Sequence, residues 1–247
     1  MPFQDWSDPQ EAKRWDEKGD RTNPARAFQL ELLLCALATA KIETKPILDL
    51  GFGSGRVEEL IFNHFSHVQI VGIDQSQAMM DIAKKRLEPY GEQFVGMQHD
   101  VRDLHTLNFQ NDSFSCVIAV QSLHHLVAVE LKRAYSWIYK VLQPGGVFLL
   151  LDRMRVENER TFDVLQSIWR DQDTREHSTV LIHEGNTFME HQNIVQQRGD
   201  FPALLDEHMA WLRETSFDVA CLHAYGNRAL IAGIKGGTND QAQMAIR

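Results

Sequence analysis

The sequence contains little cysteine. Its three cysteines, Cys35, Cys116 and Cys221, lie far apart, each within an apolar run. That spacing does not fit the paired framework of a small disulfide-rich protein, nor the close ligand pairs of a zinc site. We therefore expect buried free thiols in a reducing cytoplasm, with no disulfide and no metal.

Long apolar runs are also missing. No run in the sequence reaches the roughly 18 residues that a membrane span requires. The first residues, Met1–Asp5, lack the basic region and apolar core of a secretory signal. The expectation is a cytoplasmic chain without a membrane partner.

Positive charge is in the minority. The chain has 25 basic and 34 acidic residues, which gives a formal net charge of −9. A protein that follows a nucleic-acid backbone needs a basic surface, because neutralising phosphates dominates its affinity. The charge balance makes nucleic acid an unlikely partner and favours a small-molecule substrate.

The most informative stretch is an apolar run that breaks into glycines. Pro46–Leu50 predicts a buried strand, Gly51, Gly53 and Gly55 follow at alternate positions, and a helix is expected from Arg56. Glycines in such a turn let a ligand approach the backbone, although an ordinary tight turn uses them too. A dinucleotide fingerprint requires a third glycine at position 56, where the chain has Arg56. The turn therefore predicts a nucleotide-like cofactor other than a dinucleotide.

Two later strands each end in an aspartate. The run 68–73 is closed by Asp74, whose carboxylate can accept both hydrogen bonds of a ribose diol. Asp74 and Ser76 also precede a predicted helix over 77–87, so a helix cap is the alternative. The run 93–99 ends in Asp100 and Val101, where the alternative is an aspartate that satisfies its own turn.

The remaining pattern continues the alternation of strands and helices. A strand is predicted over 114–120, a helix over 129–142 that stops at Gln143–Gly146, and a strand over 147–151. Together with the glycine turn, the words "LHHL" and "LQPGGVFLLLD" closely resemble the motifs of class I S-adenosylmethionine (SAM)-dependent methyltransferases.

That resemblance implies a fold and a division of the chain. The fold is α/β, a doubly wound seven-stranded Rossmann-like methyltransferase sheet with a terminal antiparallel hairpin, N-terminal helices and a helical lid insert. The predicted parts are an N-terminal helical cover over residues 1–45, a SAM-binding domain over 46–238 with its insert at about 155–201, and a polar tail over 239–247.

The resemblance also implies a set of cofactor-binding residues. Asp74 would hold the ribose, Asp100 would face the adenine amino group, and the Val101 amide would meet a ring nitrogen. Arg26 would meet the methionine carboxylate, with a plain surface arginine as the alternative. The complete predicted set is Arg26, Asp49, Gly51, Gly53, Gly55, Asp74, Gln75, Asp100, Val101 and Gln121.

The candidate catalytic residues are a pair of adjacent histidines. His124 and His125 follow the fourth strand, at the edge where α/β sheets bind ligands. His125 is the better candidate for a general base and His124 the second, with a structural pair as the alternative. Since adjacent residues that leave a strand tend to face opposite ways, one should matter more. Asp152 and Arg153, after the fifth strand, could orient a polar substrate.

The functional hypothesis is methyl transfer from SAM to an O-, N- or C-nucleophile of a small molecule, by in-line displacement. The alternatives are a non-catalytic SAM-binding partner subunit, and a SAM enzyme that acts on tRNA or transfers another alkyl group. The segment Gln121–His124 replaces the N/D-P-P-[YF] motif of amino-methylating enzymes, which disfavours base or amide methylation. The assembly expected is a monomer or a homodimer.

Overall fold

Seven strands form one sheet in the computed structural model, which describes residues 6–18, 23 and 25–237. Their order is β3-β2-β1-β4-β5-β7-β6. The strands are β1 Ile47–Leu50, β2 Ile70–Asp74, β3 Phe94–Gln98, β4 Phe114–Val120, β5 Leu142–Arg153, β6 Phe217–Tyr225 and β7 Arg228–Lys235. The first five run parallel, and β7 pairs antiparallel with both β5 and β6. The predicted doubly wound sheet with a terminal hairpin is confirmed.

Helices cover the two faces of the sheet. They are α1 Pro9–Lys18, α2 Arg26–Leu37, α3 Arg56–His64, α4 Gln77–Leu87, α5 Ala128–Val141, α6 Glu159–Glu176, α7 Val180–Glu184, α8 Phe188–Gln197 and α9 Leu205–Glu214. One core packs α5 and α9 against the sheet, and the other packs α2, α3 and α4. The central strands β1 and β4 are buried along their whole length, which explains why their sequences are apolar except for Asp49 and Ser115.

One aromatic residue in the glycine turn fills space left by two glycines of the sheet. Phe52 is buried and meets Phe94 edge-on, with 5.2 Å between ring centroids. A Cβ on Gly72 would lie 2.6 Å from the Phe52 ring, and one on Gly96 would lie 3.3 Å from it. The glycines of β2 and β3 are therefore required by this ring, which anchors the turn above the sheet.

The predicted insert is helical. It comprises α6, α7 and α8, which enclose a small core of their own around Phe162, Trp169 and Val180. Buried ion pairs join it to the sheet, because Glu184 of α7 accepts from Arg153 of β5 and Arg228 of β7. Whether the insert acts as a lid stays a prediction.

The expectation that all three cysteines are buried was wrong. Cys116 in β4 is buried, whereas Cys35 and Cys221 are exposed free thiols. Cys35 lies on the outer face of α2, and Cys221 lies on the edge strand β6 beside an irregularity in its pairing with β7. An apolar run on an edge element covers only one buried face, so its other face meets solvent.

Two further sequence expectations concern the surroundings of the fold. Among the described residues, no helix combines the length and the apolar character that crossing a bilayer demands. The predicted polar tail, 239–247, lies outside the described residues.

Candidate functional site

A cavity of about 620 Å³ opens at the carboxyl ends of the parallel strands. This is where a doubly wound sheet leaves a crevice for a ligand. All the predicted site residues line it except Gly55 and His124. The lining members of that set are Arg26, Asp49, Gly51, Gly53, Asp74, Gln75, Asp100, Val101, Gln121 and His125.

The three glycines of the turn have different tasks, although all have positive φ. A Cβ on Gly51 would lie 2.4 Å from the Cβ of Ser122, so Gly51 allows the loop after β4 to approach. A Cβ on Gly55 would lie 3.1 Å from Ala83, so Gly55 allows α3 to pack on α4. A Cβ on Gly53 meets nothing within 4 Å, and Gly53 lines the cavity. Gly53 is therefore the glycine whose missing side chain leaves room for a ligand.

The carboxylate of Asp74 connects the tip of β2 to the glycine turn. Its two oxygens accept from the amides of Gly53 and Ser76, each at 2.8 Å. The helix cap is Ser76, whose Oγ accepts from Met79 N, so Asp74 is not itself the cap of α4. An ionised carboxylate offers about four acceptor positions, which leaves capacity for a hydroxyl pair.

Asp100 satisfies its own turn and also lines the cavity. It accepts from the backbone amide of Arg102 at 2.9 Å and from the Arg102 guanidinium, with Nη2 at 2.5 Å. Burial raises the pKa of Asp100, but these contacts with Arg102 lower it by more. Asp100 can therefore satisfy its own turn and still face a ligand in the cavity.

Beneath the turn lies a buried pair of carboxyl groups. Asp49 and Glu58 are almost completely buried and interact with each other through their carboxyl groups. Burial and the neighbouring charge of Glu58 raise the pKa of Asp49 well above its usual value, and burial also raises that of Glu58. Two carboxylates this close favour retention of a proton between them. Asp49 also lines the cavity, so this carboxyl pair forms part of the cavity wall.

Helix α1 closes one side of the cavity through Asp16. Its carboxylate accepts from Ser54 Oγ at 2.6 Å, from Arg56 Nε at 2.8 Å and from Arg86 Nη2 at 2.9 Å. Burial opposes ionisation, but these donors, Arg86 foremost, lower the pKa of Asp16 to about 2. Trp15 of the same helix lines the cavity. The N-terminal segment is thus fixed to the glycine turn.

The two histidines lie side by side in a short 3-10 turn after β4. Their ring centroids are 4.2 Å apart, so the expectation that they face opposite ways was wrong. His124 Nδ1 donates to Asp152 Oδ1 at 2.6 Å, whereas His125 Nδ1 lies 3.2 Å from Asp200 Oδ1. The expectation assumed the alternation of side chains along a strand, but the chain has already left β4 and entered a 3-10 turn, Leu123–His125. Of the two rings, that of His125 faces the cavity.

The aspartates act differently on the two rings. Burial lowers the pKa of His125, but contact with the carboxylate of Asp200 raises it by more, and the net shift is upward. For His124 burial dominates, so its pKa is lowered despite Asp152. His125 is consequently the stronger base.

Residues of the insert also contribute to the site, although no short sequence motif indicates that they would. Asp200 follows α8 and contacts His125, and Arg198 and Phe201 of the same turn line the cavity. Sequence reasoning missed them because they lie far from the histidines along the chain. The two ring nitrogens and one Asp200 oxygen lie within 4.8 Å of one another, a spacing that a metal ion can use. Arg153 donates to the other Asp200 oxygen at 3.2 Å, which disfavours a cation, and the absence of a metal stays a prediction.

The expectation that Asp152 and Arg153 face the crevice was wrong. Both are buried at the end of β5, outside the cavity lining as far as the chain is described. Asp152 accepts from the amides of Leu123 and His124, each at 3.0 Å, and Arg153 pairs with Glu184 and Asp200. They support the histidine turn and the insert from below.

Comparison with known proteins agrees with this geometry. Residues 47–146 match the model of the Methyltransferase domain family. A trans-aconitate 2-methyltransferase of Acidovorax ebreus is 32% identical over 177 residues, 68% of this chain and 59% of that protein. A demethylmenaquinone methyltransferase of Thermotoga maritima is 28% identical over 120 residues, 49% of this chain and 48% of that protein. The chain thus spans only about half of the length of such relatives.

Solved structures share the fold at low sequence identity. The DszA carbon methyltransferase has a TM-score of 0.61 at 16% identity, over 87% of this chain and 55% of that chain. A geranyl diphosphate methyltransferase in complex with GPP and sinefungin has a TM-score of 0.59 at 13% identity, over 85% and 77%. Residues 47–146 thus carry a methyltransferase domain, and the matches together support assignment to the class I SAM-dependent methyltransferases. The family and cofactor predicted from the glycine turn and its following motifs are confirmed at that level.

Proposed function

We propose that this protein transfers a methyl group from SAM to a small-molecule acceptor, with His125 as general base. The observation that carries the proposal is that one cavity is lined both by the glycine turn with Asp74 and by His125, which Asp200 contacts. The relatives named above are methyltransferases, and the proposal extends that activity to this chain.

The residues present fit the cofactor. Gly53 leaves open space at the cavity wall, and Asp74 retains free acceptor positions for a ribose. Gln75, Asp100 and Val101 would enclose the adenine end, and Arg26 would lie toward the methionine carboxylate. When bound, SAM supplies a methyl group that is already activated by its sulfonium.

The chain itself would hold the acceptor in line and remove its proton. Alignment of two reactants can contribute roughly 7–11 kcal/mol, and a well-placed base adds about 10²–10⁴-fold. The raised pKa of His125 increases its strength as a base, while the contact with Asp200 orients its ring. The proton would pass to the ring nitrogen that Asp200 does not contact, and Asp200 would stabilise the resulting cation.

The surroundings of the site suggest how it operates. We propose that α1 and the insert of about 155–201 cover the cavity, since Trp15 and the turn 198–201 already line it. The acidic balance of the chain supports a small molecule over nucleic acid, and a monomer or homodimer remains our expectation. Exposed free thiols at Cys35 and Cys221 support a reducing, cytoplasmic location.

Calorimetry tests the cofactor assignment without knowledge of the acceptor. The expected result is micromolar binding of SAM or S-adenosylhomocysteine (SAH), and no comparable binding of NAD or FAD. Tight NAD binding without SAM binding would contradict the proposal. Incubation of the protein with methyl-labelled SAM and a metabolite extract then separates transfer from binding alone, because a non-catalytic subunit would bind SAM without labelling any compound.

A further inference from the structure

A buried arginine without a counter-ion lies in the wall of the cavity. Arg198 is 8% exposed, and its Nη1 has no hydrogen-bond partner. Its Nη2 donates to the backbone oxygen of His183 at 2.9 Å and lies 3.0 Å from His183 Nδ1. Burial and the Arg198 charge lower the pKa of His183 to about 2, so His183 is neutral and compensates no charge.

The neighbouring arginines, unlike Arg198, each form an ion pair with a carboxylate. Arg153 and Arg228 both pair with Glu184, and Arg153 also pairs with Asp200. In the part of the chain that the structure describes, no carboxylate oxygen lies within 4.0 Å of the Arg198 guanidinium. Burial and the charge of Arg153 lower the pKa of Arg198 to about 10, while the charges of Glu184 and Asp200 act in the opposite sense without direct contact, so Arg198 stays charged at neutral pH. A buried charge without a partner is costly, and proteins rarely retain one without use.

The position of Arg198 relates this charge to the acceptor. It caps α8, and Gly199, with φ of +70°, turns the chain so that Asp200 reaches His125 and Phe201 N donates to His124 O at 2.6 Å. Arg198, Gly199 and Phe201 line the same cavity as His125. The arginine therefore belongs to the turn that brings Asp200 to His125, the residue that would act on the acceptor.

We propose that the acceptor carries an anionic group, a carboxylate or a phosphate, which pairs with Arg198 while its nucleophile faces His125. This inference rests on the proposed function. A guanidinium recognises either oxyanion through parallel N–H donors, and the desolvated setting strengthens such a pair. The anion would supply the counter-ion that the folded chain does not, and it would fix the orientation of the acceptor relative to the methyl donor.

The test measures binding of defined anions to SAH-loaded protein by calorimetry. The carboxylate probes are trans-aconitate, citrate and benzoate, each compared with its neutral amide, and the phosphate probes are inorganic phosphate and glycerol phosphate. The expected result is that at least one anion binds and its neutral counterpart does not, and the stronger of the two arms identifies the oxyanion. Arg198→Met should weaken that binding at least tenfold and leave SAH affinity unchanged, while Arg198→Lys should retain part of it.

Arg170→Met is the matched control, because Arg170 is exposed on α6 of the same insert and contacts Gln166. It should bind the anion as the unaltered protein does. The proposal is overturned if no probe anion binds the unaltered protein, or if Arg198→Met binds as tightly. Failure of the proposed function is a different result, namely absence of SAH binding. In that case the same anion titrations on SAH-free protein would still compare the unaltered protein with Arg198→Met and so test the anion site by itself.

Discussion

Replacement of Asp200 by Asn isolates the charge that we expect to tune His125. The carboxylate oxygen lies 3.2 Å from His125 Nδ1, and both groups are largely withdrawn from solvent. The His125 ring also interacts electrostatically with Asp152, Asp74 and His124, but Asp200 is the carboxylate in direct contact with it. An opposite charge at such a distance shifts a pKa by about 1–3 units. Asp200→Asn should therefore lower the His125 pKa, because it removes the carboxylate charge that raises this pKa against the effect of burial.

The measurement is an NMR titration of the histidine ring signals in SAH-loaded protein, which needs no acceptor. The chain has 11 histidines, so the His125 signal is assigned by its loss in His125→Ala. Asp171→Asn serves as control, because Asp171 is exposed on α6 and pairs with Arg175. An unchanged His125 pKa in Asp200→Asn, or an equal shift in the control, would refute the assignment of Asp200 as the tuning charge.

The same shift predicts the direction of two pH dependences. A base must be deprotonated, so turnover should rise with pH through the His125 pKa, and Asp200→Asn should move that rise to lower pH. Since the folded pKa of His125 is raised from 6.5, its contribution to the free energy of unfolding is fully present below about 6.5. That contribution is lost as pH rises through the folded value.

Five further substitutions, at Asp74, at two glycines of the turn and at the two histidines, divide the site into its parts. Asp74→Ala should weaken SAH binding in calorimetry, at roughly 1.5–3 kcal/mol for each charge-assisted bond lost, and unchanged affinity would exclude the ribose role. Gly51→Ala should lower the melting temperature more than Gly53→Ala, because only the former forces a Cβ to within 2.4 Å of the loop after β4. Gly53→Ala should instead reduce SAH affinity. If both glycine variants changed the melting temperature and the SAH affinity equally, the assignment of packing to Gly51 and ligand space to Gly53 would be wrong. His125→Ala should lower turnover by about 10²–10⁴-fold and leave SAH affinity within about twofold. His124→Ala should mainly reduce thermal stability, because it leaves a buried aspartate without its imidazole partner. Wild-type turnover in both variants would show that the general base lies elsewhere.

The cofactor half of the site could be predicted because its residues come from local signals. A strand that ends in glycines and a strand that ends in Asp74 bring their tips together whenever parallel neighbours pair, as β1 and β2 do here. The spacing of these motifs, together with the family resemblance that they carry, therefore located most of the residues that line this part of the cavity. It did not distinguish Gly53 from Gly51 and Gly55, because that difference depends on which element packs against each turn position.

The acceptor half could not be predicted for a physical reason. Asp200 and Arg198 lie in the insert, and their relation to His125 depends on how three helices pack on the end of the sheet. No periodicity in the sequence encodes that contact. The polar residues at the end of β5 had the opposite outcome, since Asp152 and Arg153 were expected in the crevice and are instead buried in ion pairs beneath it.

Those buried ion pairs explain how one insert can set both recognition and chemistry. Arg153 of β5 joins Asp200 to Glu184, and Glu184 in turn pairs with Arg228 of β7. Removal of one member would leave an unpaired charge in a region of low dielectric, so the turn that carries Arg198 is held firmly against the sheet. A single rigid turn thus presents a cation to the cavity and a carboxylate to the His125 ring. An acceptor anion that pairs with Arg198 would therefore be positioned relative to the base by the same backbone that orients the base.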